Sequence, residues 1–117
     1  MYQQPPATPV RGYLKWAAVD LDGTLAQGIW TPEDPTSDIG PPIERNVNKV
    51  MDLIAKGWKI HIHTARPWHD YERIEVWSEF WSVPYHYIHC GKLLAGIYVD
   101  DRAVHESEEV WSSEVRA

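Results

Sequence analysis

The sequence predicts an α/β domain on a small, mainly parallel sheet, and three observations predict it. Short apolar runs alternate with segments of helical period. Three of those runs end in polar residues, "VDLD" at Asp20 and Asp22, "HIHT" at Thr64 and "IYVDD" at Asp100 and Asp101. The chain has 117 residues, enough for one core and too few for two. Parallel strands need crossovers that cover the sheet, so every strand end falls on one rim, where open α/β sheets bind ligands.

The elements follow in order. Met1 to Gly12 carries three prolines and two glutamines before any periodic pattern, so residues 1–12 are expected to be an extended or disordered leader and residues 13–117 a single domain. The first strand is expected over Tyr13 to Asp20, apolar from Leu14 to Val19 but for Lys15. From Gly23 to Pro42, four prolines and three glycines predict a loop, and its length predicts a hairpin, a turn or functional groups within it. Ile43, Val47, Val50, Met51 and Ile54 fall at helical spacing, and Gly57 is placed to cap that helix, Ile43 to Lys56. "WKIHIH" reads as the second strand. His69 to Ser82 reads as a second helix with Tyr71, Ile74, Trp77, Phe80 and Trp81 on one stripe, stopped by Pro84. "YHYIHC" and "IYVDD" are expected as third and fourth strands, and Ala103 to Trp111 as a closing helix.

Composition narrows the function classes. A net charge of −6 argues against a broad footprint for duplex nucleic acid. Cys90 is the only cysteine, which excludes an internal disulfide and a multi-cysteine zinc site and makes a cytoplasmic setting the expectation. Neither a secretory leader nor a run long enough to cross a bilayer is seen. His61 and His63 alternate onto one strand face, but no third zinc ligand accompanies them at a recognisable spacing.

Asp20, Asp22, Asp100 and Asp101 gathered at one rim repel unless a cation neutralises them, and Mg²⁺ is the hard ion that takes one or two carboxylates and completes its shell with phosphate oxygen. That leaves a carboxylate free to attack phosphorus and a second to handle protons, roles that suit Asp20 and Asp22. The transferring group also needs donors, which Thr64, the backbone amides after Asp22 at Gly23 and Thr24, that of Ala65, and the Lys92 ammonium are placed to supply. Arg66 is suited either to a substrate phosphate or to pairing with an acid. Trp30 and Trp68 are expected to overlook the same rim.

"DLDGTL", a strand ending in Thr64, then Lys92 ahead of an apolar strand ending "DD" together resemble the haloacid dehalogenase-like hydrolase superfamily over Leu14 to about Arg102. The resemblance implies a three-layer Rossmann-like fold, with Asp20 as nucleophile and Asp22 as general acid/base. It also implies Mg²⁺ held by the Asp20 carboxylate, the Asp22 backbone carbonyl and Asp100, with Asp101 assisting. Asp at the second position resembles the phosphatase branch rather than the ATPases, which carry Thr there. Gly23 to Pro42 is too short for the cap domain many relatives insert, and Ala65 to Cys90 is filled by a helix and a strand. A capless phosphatase is therefore implied, one that acts on larger substrates or borrows a neighbouring subunit of a homo-oligomer as a lid. In "GKLLAG" the proline that often follows the lysine in relatives is missing.

The expected substrate is a phosphomonoester: a nucleotide, a nucleic-acid end or a sugar phosphate. A receiver-like signalling domain uses similar residues but places Lys after its last acidic residues, and here Lys92 precedes them. A non-catalytic phosphate- or metal-binding module on the same fold is the other alternative.

Overall fold

The computed structural model describes residues 12–111, so the expected leader lies outside the described residues but for Gly12. A 3₁₀ turn, Gly12–Lys15, leads into β1 (Trp16–Val19), which is shorter than the expected strand. Then come α1 (Glu44–Ala55), β2 (Lys59–His63), a 3₁₀ turn Trp68–Asp70, α2 (Tyr71–Phe80) and β3 (Tyr87–His89). The strands form one parallel sheet in the order β1-β2-β3, with Ala18 beside His61 and His63 beside His89. Each helix is the crossover between neighbouring strands, as parallel pairing demands. The fold is a small α/β architecture.

Period-2 alternation divides the sheet into unlike faces. Val19, Ile60, Ile62 and Ile88 are buried in one apolar cluster with Val50 and Leu53 of α1 and Ile74 and Trp77 of α2. The alternate positions carry Trp16, Ala18, His61, His63, Tyr87 and His89. The rings meet in two groups, Trp16 to His61 at 4.5 Å and His61 to Tyr87 at 4.9 Å in one, His63 to His89 at 5.6 Å in the other, while Ala18 and His89 stay exposed. Gly57 caps α1 as expected: at φ +91° it lets its own amide reach the Ile54 carbonyl and that of Trp58 reach Leu53. On α2 the stripe ends sooner than its spacing predicts. Tyr71, Ile74 and Trp77 are buried, whereas Phe80 and Trp81 lie beyond the core, exposed and packed on each other at 5.0 Å.

The long loop closes on itself. Ala26 and Pro42 form an antiparallel bridge, the Gln27 amide donates to the Pro41 carbonyl, and that of Ile43 donates to Leu25. Gly40 runs so close to Gln27 that a Cβ there would stand 2.3 Å from the Gln27 carbonyl oxygen. The Trp77 indole of α2 donates to the Gly40 carbonyl at 2.8 Å and ties the loop to the core.

Two expected elements do not form. Residues 97–101 make no fourth strand, because the segment curls locally: the Tyr98 hydroxyl donates to the Leu93 carbonyl at 2.6 Å and accepts from the Ala95 amide at 3.1 Å. Ile97 and Val99 are left exposed. Nor does Ala103 to Trp111 form a helix. Side chains there satisfy the backbone instead, Glu108 bonding the His105 amide and His105 that of Ser107, while Lys49 of α1 donates to the Glu106 and Glu108 carbonyls. Among the described residues no helix is long and apolar enough to cross a membrane.

Candidate functional site

The turn after β1 is held from below by Leu21 and Leu25, both fully buried. The Leu21 carbonyl accepts from the amides of Thr24, Leu25 and Ala26 at 2.9 to 3.1 Å, and Gly23, at φ +82°, donates to the Ala26 carbonyl at 2.7 Å. This tight wrap presents Asp20 and Asp22 at the rim, and it engages the amides of Gly23 and Thr24, which the sequence had offered to phosphate. The turn's backbone bonds leave the Asp22 carbonyl unused among the described residues. From the side, Asn46 of α1, fully buried, donates to the Thr24 carbonyl at 2.8 Å and to the Glu106 carboxylate at 2.8 Å.

The segments after β2 and β3 are zipped together. Thr64 donates its amide to the His89 carbonyl, Lys92 to that of Thr64 and Gly91 to that of Arg66, all at 2.8 to 2.9 Å. Gly91 takes φ +79°, and the chain turns there to deliver Lys92 to the rim. The Lys92 ammonium stands 3.1 Å from an Asp20 oxygen and 5.2 Å from the centre of the Tyr98 ring. Burial raises the Asp20 carboxyl from its ordinary value, and the Lys92 charge opposes that rise. His63 is held down to about 4 by burial and by the neighbouring Lys92, His89 and His61, so it is neutral at neutral pH. Thr64 is buried, and its Oγ1 accepts from the Arg66 amide at 3.1 Å. The Ala65 amide has no backbone acceptor among the described residues.

Of the two roles open to Arg66, the structure realises the acid pair. The residue is 0% exposed. Its Nε and Nη2 donate to both Asp22 oxygens at 2.9 Å, and its Nη1 donates to Asp70 at 3.1 Å and to the Ser37 carbonyl at 3.0 Å. Burial pulls the guanidinium down, but the two carboxylates outweigh it and the net shift is upward. So buried, Arg66 is out of reach of a substrate phosphate.

Asp70 and Asn46 are site residues that sequence reasoning missed. The Arg66-to-Asp70 spacing of four, across the 3₁₀ turn Trp68–Asp70 that leads into α2, was a legible signal for the first. Nothing marked the polar Asn46 as buried. Asp100 and Asp101 are not brought in: both are exposed, and Asp100 accepts from the Arg102 amide at 2.8 Å. Among the described residues no three His, Cys, Asp or Glu side chains gather as a metal-holding group. Two kinds of hard oxygen stand at this strand end, the Asp20 carboxylate paired with Lys92 and the Asp22 carbonyl that the turn leaves unused, and as donor types they suit part of a magnesium shell. Trp30 folds back to donate to the Pro35 carbonyl, and Trp68 packs against Tyr71 and His89.

No family model and no curated protein matches the chain. It is similar to the crystal structure of a structural-genomics target from Vibrio cholerae, at 32% identity over 80% of this chain and 85% of that one, with a TM-score of 0.60. With that identity and coverage, the chain belongs to the same family as the Vibrio cholerae protein.

Proposed function

We propose that the chain is a Mg²⁺-dependent phosphomonoesterase of the haloacid dehalogenase-like type, a capless, three-layer Rossmann-like member working in the cytoplasm. The observation that carries this reading is the Lys92 ammonium 3.1 Å from Asp20, with Asp22 two residues further on at the same strand end. An ammonium there offsets the charge that builds on the phosphoryl oxygens as an Asp20 oxygen attacks.

In the first step that oxygen bonds to phosphorus, the ester P–O bond breaks, and the leaving oxygen takes a proton from the Asp22 carboxyl. In the second, a water gives its proton to the Asp22 carboxylate while its oxygen bonds to phosphorus. The bond from phosphorus to Asp20 then breaks, restoring the carboxylate and releasing inorganic phosphate. Mg²⁺ would be held by the Asp20 carboxylate and the Asp22 carbonyl and would neutralise phosphoryl charge. Substrate choice then lies with the loop 27–41 or with a neighbouring subunit acting as a lid.

The test is hydrolysis of p-nitrophenyl phosphate with and without Mg²⁺, followed by nucleotides, sugar phosphates and phosphorylated nucleic-acid ends. Asp20→Asn should abolish turnover, and beryllium fluoride should bind the native chain but not the variant. A chain that turns over no phosphoester refutes the reading.

A non-catalytic phosphate-binding module is the second reading, favoured by the capture of both Asp22 oxygens by Arg66. It predicts phosphate binding without turnover.

A further inference from the structure

We infer that Arg66 is a positioning residue for Asp22, setting the angle at which that carboxyl meets the leaving oxygen; the inference rests on the phosphatase reading above. A carboxylate on a short side chain can rotate about two bonds. Here a planar fork holds both of its oxygens at 2.9 Å, which fixes the plane of the group and not merely its distance.

The fork is itself immobilised. Nη1 is gripped from behind by Asp70 and by the Ser37 carbonyl, the Arg66 amide is bonded to Thr64 Oγ1, and its carbonyl accepts from Gly91. The guanidinium therefore has no freedom to follow a moving Asp22. Because Nη1 also holds Ser37, the placement of the long loop and the orientation of Asp22 are tied to one side chain. An entirely buried residue has no contact to offer substrate, so its influence should fall on the chemical step and not on binding.

A displaced proton donor matters most when the leaving group is a poor one. Alkoxides need the proton and nitrophenolate scarcely does. Arg66→Lys keeps the charge but replaces the fork with a point donor. We expect it to lower kcat on an alkyl phosphate by roughly 10²-fold, the order set by an ångström-scale misplacement, while KM and turnover of p-nitrophenyl phosphate change by less than about 10-fold. In an Asp22→Asn background the same substitution should add no further loss, since the group it positions is no longer a donor.

Asp70→Asn, which loosens the fork from behind without touching Asp22, is the second variant and should show the same leaving-group selectivity in weaker form. Urea midpoints and circular dichroism establish which variants are folded. Equal losses on both substrates, losses that persist in the Asp22→Asn background, or no loss in a folded variant would each overturn the inference while leaving the phosphatase reading intact. A native chain that turns over no phosphoester of any class overturns both.

Discussion

Lys92 and Asp20, seventy-two positions apart in sequence, meet at 3.1 Å because β1 and the segment after β3 both empty onto one rim of the sheet. The Lys92 side chain is 17% exposed and that of Asp20 39%, so neither partner is sealed from solvent.

Replacing Lys92 by Met should lower kcat/KM for p-nitrophenyl phosphate by roughly 10²- to 10³-fold, the range for removal of a transition-state donor. The pH dependence should move as well. Burial raises the Asp20 carboxyl and Lys92 opposes it. Without the ammonium the carboxyl rises further, and because attack requires its ionised form, the acid limb of the kcat/KM profile should shift to higher pH. Steady-state profiles of the two proteins check this.

Asn46 links the Thr24 carbonyl of the site turn to Glu106 in the tail, and it is fully buried. Asn46→Ala leaves the Thr24 carbonyl without that donor and should destabilise the fold by about 1–3 kcal/mol in urea unfolding. Glu106→Gln keeps an acceptor for the amide and should cause a smaller loss.

His63 gives stability a pH slope. Its folded value is held at about 4 against an ordinary 6.5, so between those values the unfolded chain binds more protons. Stability should therefore fall as pH drops through that window and level off below it. Thermal melts at neutral pH and near pH 5 should differ by several degrees in the native chain, on the order expected for about 1 kcal/mol, and by less in His63→Gln.

At Gly40 the neighbour of a new side chain is backbone, the Gln27 carbonyl, which cannot turn aside. Gly40→Ala should force the base of the loop open and lower stability by about 1–3 kcal/mol. Because Trp77 anchors the loop through the Gly40 carbonyl, indole fluorescence should report the same displacement.

What the sequence determined by itself was local and periodic. Helical spacing from Ile43, with Gly57 behind it, is enough to place α1, and the runs ending at Val19 and His63 mark two of the strands. "DLDGTL" locates the acidic turn, because its glycine takes the positive φ and its two leucines fill the buried positions that the turn needs. What only the tertiary structure decided was which polar groups meet. Arg66 was suited equally to a phosphate or to an acid, and only the loop and the start of α2 closing around it place Asp22, Ser37 and Asp70 at its donors. The apolar pattern of "IYVDD" is that of a strand, yet the Tyr98 hydroxyl closes a local curl that no periodicity records. Periodicity reports the face a residue turns to its own element; a site is made of contacts between elements, and those depend on how loops of irregular backbone close.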